Sequence, residues 1–338
     1  MRFVFLVPDL DTSRSWKILH EVASKLSRFK LFDNFTRYRY LRVWQVSGGS
    51  LNIMRHCLVA RNQGADAVMA TISGKDTYGD WGLSGLPYIR WADRRPDDIC
   101  MIPDFSSQLV DEVIGQVILY LQSPFHTRVD FNYRDERVAL WTDSPFMLGI
   151  CQNAYPGKEI PIVPNIIDPH QFPFIPQAQR QPGVVFAFPR KGPEFIAATK
   201  DWYQKLGGTY WRFELIDGLS IHELAKEFRR PQVFLASAEV DGCALPPQES
   251  MASGIVVVGK TASGGNFYME HGKTAMTAET PEAAAKCLLE LEDAALRDNI
   301  AHNAHAYISR YFFDGEPAEF WRQTINHYSE TKVTTKVN

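Results

Sequence analysis

Two carboxylic acids, Asp241 and Glu249, stand eight residues apart in the stretch DGCALPPQESMASG (241–254), with Leu245, Pro246 and Pro247 between them. An unbroken helix would put both on one face. Proline forbids that, because in a helix interior it removes a hydrogen bond and clashes with the preceding turn. Pro247 fits a first helical position, so Asp241 is expected in a loop and Glu249 in the first turn of a short helix that Gly254 stops. The leading N–H groups of a helix lack intrahelical partners and carry partial positive charge, which makes this junction an anion site. Cys243, Ala244 and Leu245 lie just ahead of it. On the residues alone a second reading stands beside this one, with Glu249 complementing the helix dipole and Asp241 capping a loop. Earlier in the chain, Arg190 and Lys191 follow the apolar run VVFAF (184–188). A guanidinium grips two anionic oxygens at once and an ammonium acts as a point charge, which is the pairing a diphosphate calls for. A solvated basic turn is the alternative.

The elements that must position these groups are legible as alternating patterns. FVFLV (3–7), LRVWQV (41–46), DAVMATI (66–72), ICMI (99–102), VILYL (117–121) and VALW (138–141) read as strands. Helical spacing lies between them: Trp16, Leu19, Val22, Leu26 and Phe29 follow a cap at Thr12 or Ser13, and another helix runs through Asn52–Asn62. Six prolines in 161–183 mark linker chemistry. A second series follows, with strands at 184–188, ending at Ile216, at 233–237 and at 255–259, and helices near 193–206 and 220–229. Strands alternating with helices predict mostly parallel sheets, here in two doubly wound α/β domains. Ligands of such sheets bind beyond the carboxyl ends of the strands, which is where the quoted stretch falls.

Bulk composition narrows the class. With 338 residues, 45% hydrophobic and 22% charged content and a net charge of −3, the chain fits a soluble globular protein without bias toward nucleic acid. Five scattered cysteines form no C-x-x-C pair, so neither a zinc site nor a disulfide framework is expected. The start, MRFVFLVPDL, reads as a strand rather than a signal peptide, and no apolar run approaches a membrane span, so a cytoplasmic protein is expected.

DGCALPPQESMASGIVVVG resembles the E-x7-E signature of retaining GT-B glycosyltransferases of the family 4-like, group 1 type. VPNIIDPHQF (163–172) resembles the segment that closes their first domain, and VVFAFPRKGPEFI (184–196) the strand and basic turn that open the second. The resemblance covers about residues 160–275; the first domain matches in its β/α order alone. It implies two Rossmann-like domains with mostly parallel sheets facing a central cleft. The acceptor-side domain would span 1–165, a proline-rich linker 166–182 and a nucleotide-sugar-binding domain 183–312, with a last helix (313–338) crossing back to the first domain. It further implies a metal-independent enzyme, without cofactor, that moves a sugar from a nucleotide-sugar donor to a hydroxyl of a glycan, lipid-linked or small-molecule acceptor. Arg190 and Lys191 would neutralise the diphosphate in place of a metal, Glu249 hold the ribose and Asp241 face the transferred sugar. The backbone N–H groups of Cys243, Ala244 and Leu245 would serve sugar or phosphate. The base would pack by Asp217–Gly218, and the Ser263–Gly265 turn would allow close backbone approach. Asp241 stands where the family has Glu, one methylene shorter, and Ala244 replaces a glycine. A nucleotide-sugar epimerase of the same architecture and a catalytically silent sugar-nucleotide-binding protein are the rival readings.

Other motifs have plainer expectations. Asp9 and Asp11 form a D-x-D, read as capping the next helix. His126 is read as a surface histidine, and His302 with His305 as an exposed pair. Ser47–Gly48–Gly49–Ser50 is read as a turn and YGDWGLSGLPYIRWADRR (78–95) as a long connection of the sort that lines acceptor sites. Residues 28–42 mix five basic residues with aromatics, which suits peripheral contact with an anionic membrane, or else a helix end and a connector. No G-x-G-x-x-G follows a first strand, which disfavours a dinucleotide-dependent dehydrogenase.

Overall fold

The computed structural model describes residues 1–26, 41–313 and 315–335. The basic stretch 28–42 lies outside them apart from its last two residues. Two compact units emerge: Met1–Asp143, Met147–Val163 and Pro317–Asn338 form unit 1, while Ser144–Phe146 and Pro164–Glu316 form unit 2.

Unit 1 is built on a six-stranded sheet of β1 (Arg2–Leu6), β4 (Asp66–Thr71), β5 (Tyr88–Arg90), β6 (Ile99–Pro103), β7 (Gln116–Leu121) and β8 (Val138–Thr142). Its order is β5-β4-β1-β6-β7-β8 and every pairing is parallel. The two-residue strands β2 (Asp9–Leu10) and β3 (Arg42–Val43) pair separately. Helices α1 (Arg14–Leu26) and α2 (Gly48–Asn62) belong to unit 1, as does α3 (Pro145–Ala154) from Met147 onward, residues 145 and 146 clustering with unit 2. β1 is buried along its whole length, as expected of a parallel strand covered on both faces.

Unit 2 carries β9 (Val184–Ala187), β10 (Arg212–Leu215), β11 (Val233–Ala236), β12 (Val256–Gly259) and β13 (Met276–Thr277) in the order β10-β9-β11-β12-β13, again all parallel. Its helices are α4 (Pro193–Lys205), α5 (Ile221–Glu227), α6 (Leu245–Ser253), α7 (Pro281–Glu290) and α8 (Ala294–Tyr311). Val185, Leu235, Val256 and Val258 from the sheet pack with Ile196, Tyr203, Leu288 and Ile300 from the helices. The last helix, α9 (Gly315–Thr335), returns to unit 1 from Pro317 onward. Its Trp321 is fully buried, 5.6 Å and 5.4 Å from the rings of Phe3 and Phe5, and donates from Nε1 to His56 Nδ1 at 3.0 Å.

Several elements differ from expectation. The strand expected at 41–46 shrinks to β3. Ser47–Gly48–Gly49–Ser50 is the cap and first turn of α2, with Ser47 Oγ accepting from the Ser50 N–H. The long connection 78–95 contains β5, the edge of the sheet. The proline-rich stretch belongs to unit 2 because its own polar side chains pin it there. Arg180 donates to the backbone oxygens of Ile175, Phe228, Pro231 and Ser253, and Gln177 to those of Gln232 and Gly254. Burial pulls the Arg180 guanidinium down to about 9. Among the described residues no helix is long and apolar enough to cross a membrane.

Candidate functional site

Strand order in unit 2 reverses between β9 and β11, the kind of switch point beyond whose carboxyl ends ligands bind. β9 runs into a single 3-10 turn, Pro189–Lys191, and then Gly192 at φ 143°. A Cβ at residue 192 would lie 2.4 Å from the Ser237 carbonyl oxygen, so glycine lets this turn press against the loop that leaves β11. Across the gap Lys191 Nζ donates to Asp241 Oδ2. The lysine side chain is 49% exposed and the aspartate 19%. Arg190 is exposed and makes no ion pair among the described residues.

The loop from Gly242 to Ala244 is held by three carbonyls. Ser144 Oγ donates to Gly242 O at 2.7 Å, Asn165 Nδ2 to Cys243 O at 3.0 Å and Tyr268 Oη to Ala244 O at 2.8 Å. All three side chains are buried. A trans peptide sets its N–H opposite its C=O, so drawing these oxygens inward turns the N–H groups of Cys243, Ala244 and Leu245 the other way. The Ala244 N–H donates to Asn266 Oδ1 at 3.3 Å, so it is engaged within unit 2 and is not the open donor expected. Gln248 joins the network, donating to Cys243 Sγ at 3.0 Å and accepting from Asn165 at 3.2 Å.

Helix α6 begins at Leu245, not at Pro247, and both prolines sit in its first turn, where their missing N–H would have had no partner. Glu249 therefore falls beyond the first turn; it is 2% exposed. Gly254 ends the helix in a left-handed conformation. Asp217 and Gly218 follow β10, with the Gly218 N–H donating to Asp217 Oδ1 at 2.9 Å. Gly265 follows β12, and a Cβ there would lie 2.0 Å from the Asp241 carbonyl oxygen. The strand order thus lines up the sequence candidates along one sheet edge: 217–218, then 190–191, then 241–245, then 265.

Sequence reasoning missed Ser144, Asn165, Asn266 and Tyr268, which position the loop. Asn165 lies inside the matched 163–172 segment; the others carry no local signal.

In unit 1, Asp104 is buried beyond the carboxyl end of β6 and accepts from the N–H groups of Phe105, Gln122 and Ser123 at 2.7, 2.9 and 2.7 Å. Burial pushes its carboxyl above the usual range, against the pull of His126 and these amides. His126 is partly exposed, with Nδ1 3.7 Å from Asp104. Asp11 accepts from the Ser13 N–H at 2.9 Å and pairs with Arg42, while Ser13 Oγ caps α1 by accepting from the Trp16 N–H at 3.3 Å. Asp9 instead binds Ser73 through its N–H and hydroxyl, at 3.1 and 2.6 Å. His305 is half-buried and bonds Ala252 O at 2.8 Å, so the 302/305 pair is not simply exposed.

No family model and no curated protein sequence matches the chain. Solved structures do. The Anabaena Alr3699/HepE structure in complex with UDP aligns over 98% of this chain and 100% of that one, with a TM-score of 0.59 at 14% identity. Sucrose-phosphate synthase (tll1590) from Thermosynechococcus elongatus aligns over 85% and 94%, with a TM-score of 0.63 at 13% identity. The match to TarM has a TM-score of 0.52 at 13% identity and covers 69% of this chain; the chain spans a little over half of that protein, 55%. The fold of the chain is that of the GT-B glycosyltransferases: α/β, with Rossmann-like, mostly parallel sheets.

Proposed function

We propose that the chain is a metal-independent, retaining glycosyltransferase that takes its sugar from a nucleotide-sugar donor. The observation that carries this reading is the meeting of Lys191 and Asp241 at the strand-order switch of unit 2, with exposed Arg190 beside them and the start of α6 following the same loop. Cations fixed at that edge stabilise charge developing on a departing diphosphate. Arg190 and Lys191 hold the two phosphates, the N–H of Leu245 at the start of α6 adds a donor, Glu249 binds the ribose and Asp241 faces the sugar. The base lies by Asp217–Gly218. The acceptor hydroxyl oxygen bonds to the anomeric carbon as the bond from that carbon to the diphosphate breaks. The electron pair leaves on the phosphate oxygen, which takes up the hydroxyl proton. TarM was crystallised with UDP and HepE with UDP-glucose, which recommends uridine nucleotides as the first probes here.

The acceptor is a glycan, a lipid-linked or a small-molecule hydroxyl. Exposed Ile18, Leu19 and Val22 on α1, in the company of Arg14, Lys17 and Lys25, support peripheral contact with an anionic membrane. The stretch 28–42 belongs to this proposal by composition alone.

A thermal-shift series with UDP, GDP, ADP and their sugars tests the donor, since a ligand specific to the native state raises the melting temperature by mass action. One nucleotide and its sugar should stabilise the protein equally well with and without EDTA. Mass spectrometry of the products then reads transfer as a gain of one sugar on the acceptor. A donor product of unchanged mass would favour an epimerase, and binding without turnover a silent sugar-nucleotide protein. Stabilisation lost with the chelator would overturn metal independence.

A further inference from the structure

Lys260 follows β12 directly and has no role in the reading above. Its ammonium pairs with Glu239 and lies 5.1 Å from the centroid of the Phe195 ring. The two ends of this ion pair are unequal: the lysine side chain is 12% exposed and the glutamate 74%. A lysine at a surface ordinarily carries its charge into water along a flexible stem. A carboxylate that stands in water contributes little to an ion pair, so Glu239 does not account for where Lys260 is held.

Its surroundings account for it better. Phe195 is the third residue of α4, so the ammonium sits at that helix's first turn, where Gly192 offers no side-chain cap. Lys191 immediately precedes Gly192, and Glu239 stands two residues before Asp241, the partner of Lys191. Two lysines, one after β9 and one after β12, are thus each matched by a carboxylate of the loop that leaves β11, the strand between them. The backbone that carries Lys260 is fixed as well. Thr261 donates to Glu279 Oε1 from its N–H at 3.1 Å and its hydroxyl at 2.8 Å, and Ser263 Oγ donates to Glu239 O at 3.0 Å. Ala262 and Ser263 hold φ of 52° and 58°, the left-handed region that a Cβ disfavours and that persists only where the surroundings enforce it.

We infer that Lys260 is a further phosphate-binding cation of this same edge, and that Glu239 is the internal anion with which a nucleoside diphosphate competes for it. This deepens the nucleotide-sugar reading and rests on it. The strained turn after β12 then serves to present the ammonium beside the first turn of α4.

The test measures calorimetric affinity for whichever of UDP, GDP and ADP the wild type binds, using Lys260→Met and Glu239→Gln. Methionine keeps an apolar stem against Phe195 and removes the charge; Glu239 is too exposed for its amide to disturb folding. Lys260→Met should bind about tenfold more weakly, with a shallower salt dependence, and Glu239→Gln at least about twofold more tightly, since the competitor is gone. If the pair is only a strut, Lys260→Met lowers the melting temperature without ligand and both variants leave affinity unchanged, which overturns the inference. Weaker or unchanged binding by Glu239→Gln overturns the competition. A wild type that binds none of the three nucleotides sinks the nucleotide-sugar reading and this inference together, whereas an unaffected Lys260→Met beside a wild type that binds sinks this inference alone.

Discussion

Lys191 and Asp241 neutralise one another between the ends of β9 and β11, so a phosphate arriving there exchanges one anionic partner for another. An ion pair with a half-exposed lysine is worth about 0–1 kcal/mol, whereas a hydrogen bond to a charged group contributes about 1.5–3 kcal/mol. The exchange therefore favours the phosphate, and Arg190, exposed and without an ion pair among the described residues, adds a charge that needs no release. On this argument Lys191→Ala should lower sugar transfer by about 10²–10³-fold, the range seen when one donor to a developing anion is removed. Nucleotide affinity should fall less, by about tenfold. Asp241→Asn should move the two quantities apart: it releases Lys191 and so tightens UDP, yet it slows transfer because the group facing the sugar has lost its charge. Isotherms with UDP and single-turnover assays with the sugar nucleotide read both. Near-normal turnover by Lys191→Ala would remove the phosphate role from that side chain.

At the scale of elements, the site is an edge where four loops of a parallel sheet must pack closely. Gly265 shows how little room they leave. Its φ is an ordinary −63°, so no backbone strain requires glycine. Space does: an added Cβ would stand 2.0 Å from the Asp241 oxygen and 2.7 Å from that of Gly242. Gly265→Ala should push the 241–242 loop off its clamps, cost about 1–3 kcal/mol of stability as an overpacked site does, and weaken UDP binding about tenfold or more. Denaturant unfolding and calorimetry would check it; wild-type affinity in a stable Gly265→Ala protein would mean the loop's position is not needed. The contrast between Gly265 and Tyr268 also explains what the sequence could disclose. Strands, turns and the junction at 241–249 were legible because proline, glycine and apolar periodicity act locally. The sequence pattern puts the start of α6 two residues late because it treats the second proline as the boundary, while a first turn tolerates both. Tyr268, Asn266 and Ser144 are invisible because each bonds a backbone group between 22 and 98 residues away, two of them a carbonyl and Asn266 an N–H, a relation that no local spacing encodes.

The chain passes between its two units four times, at 143/144, 146/147, 163/164 and 316/317, so neither unit is a continuous segment. Unit 1 is finished by its last helix. Trp321 fills the space beside Phe3 and Phe5 of β1, stands 5.8 Å from the ring of Trp141, and gives its N–H to buried His56. Truncating a buried aromatic of this size costs about 3–5 kcal/mol, and here it also removes the donor to a buried ring nitrogen. Stabilities of whole domains are about 5–15 kcal/mol, so one substitution at position 321 takes a large share of what holds unit 1 together. Trp321→Ala should therefore lower the unfolding transition of unit 1 by that amount, and Trp321→Phe by less, because the ring contacts survive. Every residue assigned to the nucleotide lies within 190–265, inside unit 2, with a hydrophobic core of its own. The UDP-dependent rise of unit 2's transition should persist in Trp321→Ala, with affinity within about threefold of wild type. Urea titrations followed by tryptophan fluorescence, with and without UDP, separate the two transitions. Their joint loss in Trp321→Ala would show that the nucleotide edge depends on unit 1 for its folding and would refute the assignment of the donor site to unit 2 alone.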